Sequence, residues 1–306
     1  MFKKSAFTMI ELVMVIVVMG IVASIGADII ARMYENYIKT RSINRLQAQS
    51  EIVLNEIAKR LQFRIKDSVI ARNDSNFSDY VSLSDANDSY QILEWIGKDN
   101  DSFKGVSMPG WSGFIDLDSN MTNKSLGTYG KLKTPGSELN TTDAIIGALS
   151  NGKVRLDSAV ANHNRPALLF KGQSTFDLSQ YGWDGVEGNY THKVKYTAGT
   201  NDVLVFDENT SNLNEIFEHY DLSWSAYAVV PEGNNTNDFN LTLHYNYQPW
   251  ENERYDQNAT SSVLAEHVST FKFTKTGDTI RLKLCINDAN RSGGFNFAFC
   301  KEKVVY

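Results

Sequence analysis

The sequence predicts an α+β fold in which one long N-terminal helix packs, over its second half, on an antiparallel β-sheet body. Three observations predict it. Residues 7–27 are apolar apart from Glu11, and no Pro or Gly interrupts the chain between Ala27 and Ser68. Beyond residue 73 the composition turns to Asn, Ser, Asp, Gly and Thr, with short alternating apolar runs that read as strands. Finally, 42% apolar and 22% charged residues over 306 positions are enough to bury a core, which excludes wholesale disorder.

Charge is graded along the chain. Thirty Lys and Arg against 36 Asp and Glu give a net charge of −6. Residues 28–66 hold eight bases against four acids, whereas residues 67–306 hold 20 against 31, a net −11. Neither value suits a nucleic-acid binder relying on bulk positive charge, so no nucleic-acid partner is expected. An acidic body on a mildly basic stem suits a soluble surface outside the cytoplasm.

The first helical half, residues 7–27, reads FTMIELVMVIVVMGIVASIGA and is long enough to span a bilayer at roughly 30 Å. Lys3 and Lys4 precede it and hold that end in the cytoplasm. Glu11 is the exception, since a carboxylate within a membrane helix costs about 2.5–3.5 kcal/mol and calls for a partner. A plain anchor or a secretory signal peptide is the alternative. Against the signal peptide, Ala23-Ser24-Ile25-Gly26-Ala27 puts Ile25 where a small residue is needed for cleavage.

Lys3, Lys4, Ala6, Phe7, Thr8, Ile10, Glu11 and Leu12 form a short basic leader, a small residue and Phe-Thr-x-Ile-Glu-Leu opening an apolar helix. This resembles the prepilin family over about 30 residues. The resemblance implies a leader at 1–6, cleavage by a prepilin peptidase between Ala6 and Phe7, and N-methylation of Phe7. It also implies pairing of Glu11 with the new amino terminus of a neighbouring subunit. A charged α-amine would compensate a carboxylate where each alone is costly. Ala6 stands where Gly is usual, and Asp28 where many members carry a helix-kinking Pro.

By the same resemblance the chain is a subunit of a type IV pilus or a type II secretion pseudopilus, with the ladle shape of pilins. It would sit in the bacterial inner membrane, N-terminus in the cytoplasm and body in the periplasm, before joining other pilin or pseudopilin subunits in the filament. Roughly 240 residues beyond the helix make a bulky body, which favours a minor pilin or J-type pseudopilin over a repeating shaft subunit. The other function class is a membrane-anchored periplasmic binding protein or enzyme; a narrower one is an adhesin or DNA-uptake component of the same machinery.

Over residues 28–66, Ile43, Leu46, Ser50, Val53, Ile57, Leu61 and Arg64/Ile65 recur at three and four, the stripe of an amphipathic helix. The helix is expected from about residue 7 to 66, its later stripe buried under the body. Residues 67–306 form that body. Strands are expected at 90–96, 167–171, 193–196, 202–206, 222–230, 240–247, 268–274, 279–287 and 295–304. The turn Thr276-Gly277-Asp278 makes the pair around it a hairpin. Residues 97–165 read as an irregular insertion with a short helix at 142–149.

The two cysteines, Cys285 and Cys300, lie in strand-like segments, and outside the cytoplasm they are expected to oxidise to each other. Closing the loop of fourteen residues between them removes about 3 kcal/mol of unfolded-state entropy. The alternative is a pair of free buried thiols. The resemblance adds that pilins often carry a C-terminal disulfide-bounded loop.

Asn followed two residues on by Ser or Thr occurs thirteen times, where 28 Asn and a Ser/Thr share of about 15% predict about four. Ten of the thirteen have Asp or Glu two residues before: Asn76, Asn87, Asn120, Asn140, Asn189, Asn209, Asn234, Asn240, Asn258 and Asn290. With acids at about 12% of the chain, one or two are expected. The pattern resembles the D/E-x-N-x-S/T acceptor of bacterial oligosaccharyltransferases, which act on periplasmic domains. The other reading is an Asn-, Asp- and Ser-rich surface that generates it by composition. Asn240, within an expected strand, is the weakest of the ten.

No catalytic arrangement emerges, and no cofactor or metal is expected. The five histidines, at 163, 192, 219, 244 and 267, form no HExxH or His-x-His pair. Gly110-Trp111-Ser112-Gly113 lacks the register of a nucleophile elbow. Asp116-x-Asp118-x-Asn120 opens like a calcium loop but lacks the following Gly and the late Glu, so it reads as a solvated turn.

Overall fold

The computed structural model describes residues 8–105, 108–123, 130–172, 177–186, 188–207, 215–233, 235–288 and 297–306. Helix α1 runs Met9–Gln62, 54 residues and about 80 Å. It passes through Gly20, Gly26 and Asp28 without a break. The stop comes at Phe63, whose N–H returns to the Arg60 carbonyl at 3.1 Å. Just beyond, the buried Arg64 guanidinium donates to the carbonyls of Leu61 (2.8 Å), Asp278 (2.9 Å) and Tyr306 (3.3 Å). It thereby ties the helix end to a hairpin turn and to the last residue of the chain.

The main sheet is eight-stranded and antiparallel. In chain order its strands are β1 (Ile70–Asn73), β2 (Asn76–Ser82), β3 (Tyr90–Gly97), then β9 (Ser225–Glu232), β10 (Phe239–Tyr247), β11 (Thr260–Thr276), β12 (Thr279–Asn287) and β13 (Ala298–Val305). In space they lie in the order β13-β12-β11-β10-β9-β3-β1-β2. A long amphipathic helix thus packs on an antiparallel sheet, an α+β layout. The β11–β12 hairpin closes at Thr276↔Thr279, with Gly277 at φ +60° in the two-residue turn.

Between β3 and β9 the chain builds a second antiparallel sheet from β4 (Lys131–Lys133), β5 (Ala167–Phe170), β6 (His192–Lys195), β7 (Val203–Phe206) and β8 (Tyr220–Ser223). Helices α2 (Asn100–Phe103) and α3 (Leu139–Leu149) accompany it. The expected irregular stretch at 97–165 therefore contains two helices and a strand. The run 222–230, read from sequence as one strand, is two, because the chain leaves the second sheet at Trp224 and enters the first.

Three packed clusters explain the layering. Leu46, Val53, Leu54, Ile57 and Leu61 of α1 meet one face of the main sheet at Trp95, Leu243, Leu282 and Leu284. The opposite face, with Ile92, Ile96, Ala228 and Tyr247, is covered by Ala167 and Leu169 of β5 together with Trp183 and Trp250. The alternate β5 residues, Leu168 and Phe170, turn to the core beneath α3, with Ile146, Leu204 and Trp111. The order is helix, sheet, sheet, helix.

Candidate assembly surface

The first half of α1 has no cover within the chain. Its large apolar side chains from Met9 to Tyr37 are all exposed, among them Ile10, Val17, Ile21, Ile30 and Met33 at 56–73%. This one helix is long and apolar enough to cross a membrane. An apolar surface that large on a folded chain marks contact with lipid or other protein. Glu11 lies on it, exposed, and accepts from the hydroxyl of Thr8 at 3.3 Å. Ala6 and Phe7 lie outside the described residues. One exposed ion pair, Arg32 to Asp28 at 3.0 Å, closes the span with the i,i+4 geometry of a helix surface in water.

Cover begins at Ile38, and from Leu46 the helix is docked. The contacts that fasten it come from the C-terminal strands. Lys301 of β13 reaches Glu51 at 2.9 Å, and Lys303 bonds the side-chain oxygen of Asn55. The Lys301 ammonium holds the Glu51 carboxyl below its ordinary range, by hydrogen bond first and charge second. Asp288, just past β12, is fully buried and receives the Ser42 hydroxyl and the Arg45 guanidinium, the latter at 3.2 Å. Sequence reading missed this clasp. Its only signal was two polar residues, Ser42 and Arg45, one helical turn apart beside the apolar stripe.

Cys285 and Cys300 are joined as a disulfide. They are direct neighbours in the β12–β13 register, so the bridge crosses the two strands on which α1 rests. The clasp residue Asp288 follows Cys285 by three.

Of the ten acid-preceded asparagines, seven are described: Asn76, Asn87, Asn120, Asn140, Asn189, Asn240 and Asn258. All seven are exposed. Asn209, Asn234 and Asn290 lie outside the described residues. The structure scatters the seven over turns, the start of β2, the first turn of α3 and the mouth of β10 rather than gathering them into one site.

No catalytic group assembles among the remaining candidates. His244 contacts Glu232 at 2.9 Å and the Tyr255 carbonyl at 3.0 Å, while His267 contacts Asp238 at 3.0 Å. Oδ1 of Asp116 accepts the backbone N–H groups of Asp118 and Ser119, the geometry of a polar turn. A cleft of about 850 Å³ where α1 meets the second sheet is lined by Lys66, Lys98, Lys171 and Tyr181. Three of its lysines are engaged: Lys98 and Lys171 converge on Asp221 at 2.8 and 3.0 Å, and Lys66 meets Asp278 at 3.2 Å. No known protein family, curated protein or solved structure matches the chain.

Proposed function

We propose that this chain is a structural subunit, of the minor kind, of a type IV pilus or type II secretion pseudopilus. In this reading a prepilin peptidase cuts between Ala6 and Phe7, Phe7 is methylated, and the subunit leaves the inner membrane for the filament by way of α1. The observation that carries the reading is the uncovered apolar stretch of α1 directly behind Phe7-Thr8-x-Ile10-Glu11-Leu12. A surface of that kind needs lipid before assembly and neighbouring helices after it. Glu11, exposed in the lone chain, then acquires the Phe7 amine of the next subunit as its counter-charge.

Tandem mass spectrometry of the N-terminal peptide, from protein purified out of its native membrane, tests the proposal. N-methylated Phe7 is the expected terminus; an intact Met1 would leave only an anchored domain. A second, separable expectation concerns Glu11→Ala. That variant should be processed like the parent yet be missing from sheared filaments, and normal incorporation would remove Glu11 from the assembly role.

A further inference from the structure

The fold places the acid two residues before the acceptor-like asparagines in differing surroundings. Asp288, which precedes Asn290, is buried against Ser42 and Arg45 of α1. Asp256, before Asn258, is held by Arg254 through two hydrogen bonds of 2.9 and 2.6 Å. Asp238, before Asn240, contacts His267. Asp74 and Asp85 are exposed, as Asp238 and Asp256 also are, and stand beside Asn76 and Asn87, which are exposed themselves; Asp85 accepts the Ser82 hydroxyl at 2.8 Å.

Both of these asparagines also share a local geometry. Oδ1 of Asn76 accepts the N–H of Ser78 at 3.2 Å, and Oδ1 of Asn87 accepts the N–H of Ser89 at 2.9 Å. In each case the donor is the Ser two residues on. The turn fixes the carbonyl side of the amide toward the backbone, with Nδ2 on the solvent side of an exposed residue.

We propose that Asn76 and Asn87 are N-glycosylated, the donor being an oligosaccharide carried on a polyprenyl pyrophosphate. Nδ2 forms a bond to C1 of the first sugar as the bond from C1 to the pyrophosphate oxygen breaks. The amide gives up one proton, the lipid pyrophosphate leaves with the electron pair, and nothing is oxidised or reduced. The exposed carboxylate two residues earlier offers the transferase a fixed charge to grip. At Asn76 the product has a structural consequence. This residue opens β2, the strand at one edge of the main sheet, and bulk beside an open edge blocks pairing with another chain. The proposal requires only that the body lie outside the cytoplasm, and it stands whether or not the chain enters a filament.

Asn73 supplies an internal control three residues away. Asn73-Asp74-Ser75 is an acceptor triplet that makes the same turn, its Oδ1 accepting the Ser75 N–H at 3.0 Å, but Ala71 occupies the acid position and Nδ2 is bonded to Asp79 at 3.0 Å. The test is glycopeptide mass spectrometry, with electron-transfer fragmentation, on the full chain purified from its native membrane. The expected result is one oligosaccharide mass on each of Asn76 and Asn87, and none on Asn73. Asp74→Ala, which leaves Asn76-Phe77-Ser78 intact, should remove the mass at Asn76 and not at Asn87. Both peptides at their bare mass, or sugar on Ser or Thr only, would overturn the proposal, and full occupancy of Asn76 in Asp74→Ala would overturn the role of the acid. The N-terminal peptide in the same digest reports processing at Phe7 separately.

Discussion

At the scale of single residues, the body buries charge in two different ways. Arg72 and Glu94 are both fully buried and satisfied. The Arg72 Nε donates to Glu94 at 2.6 Å and its Nη2 to the Trp183 carbonyl at 3.0 Å, while the guanidinium lies 4.0 Å from the Phe77 ring centroid. Asp99 is buried without a cation. Its carboxylate caps α2 through the N–H and hydroxyl of Ser102, and burial, partly offset by those Ser102 bonds, pushes its pKa up to about 6. Between pH 4 and 6 the folded chain therefore holds a proton that the unfolded chain has lost, so this group's contribution to stability falls as pH rises through that window. The full penalty, on the order of 2–3 kcal/mol, is present above pH 6. Asp99→Asn keeps the capping oxygen and removes the ionisation. Relative to the parent, the variant should gain stability from pH 4 to pH 7 in denaturant melts in micelles, and a pH-independent difference would show that Asp99 is not the group responsible.

Helix α1 is two elements joined without a seam, and the sequence made one of them far easier to read than the other. The buried residues of its second half, Leu46, Ser50, Val53, Ile57 and Leu61, are those of the expected stripe. Leu54 and Ala58 widen it toward the sheet, and the helix ends four residues before the expected limit because the chain bends at Phe63 to start the body. Leu61 is fully buried, so Leu61→Ala should cost about 2–5 kcal/mol in equilibrium unfolding. Ile52, 67% exposed on the same helix, should cost at most about 0.5 kcal/mol on the same change. Equal losses at both positions would mean that the helix does not dock in this register. The long strands and the Gly277 hairpin were similarly legible, since two-residue turns and period-two patterns are local signals. In the second sheet β5, β6 and β7 match the runs expected at 167–171, 193–196 and 202–206, and β8 the start of the run at 222–230, while β4 and the pairing into a separate sheet were not legible. β4 is three residues long, too short to display a period, and the partners in this sheet, β4 with β7 and β5 with β8, lie far apart in sequence. β1 and β2 were missed for another reason: Asn, Ser and Asp dominate Asn73–Ser82, and pairing of β2 with β1, itself held on β3, overrides that polarity.

Taken whole, the molecule places every described contact between helix and body on one side of a line near Ile38. The clasp at Ser42 and Arg45, the Lys301 and Lys303 bonds, and the apolar stripe from Leu46 all lie beyond it. Residues 9–37 carry the exposed Met, Val, Ile and Tyr side chains and add nothing to the packing of the body. An apolar surface that contributes no internal contact contributes no folding stability, but it does dictate solubility. Removing residues 1–37 should therefore separate the two properties. The remaining chain should be soluble and monomeric without detergent, because its outer surface is acidic and its helix remains docked over about 24 residues up to Gln62. Its melting temperature should lie within a few degrees of that of the full chain in micelles, since a domain of this size moves by roughly 2–4 °C per kcal/mol. Analytical ultracentrifugation together with thermal melting measures both. A folded, soluble monomer would assign the uncovered half of α1 to intermolecular contact alone. A product that aggregates or melts much lower would mean that residues 9–37 support the body after all, and the division of labour along the helix would have to be abandoned.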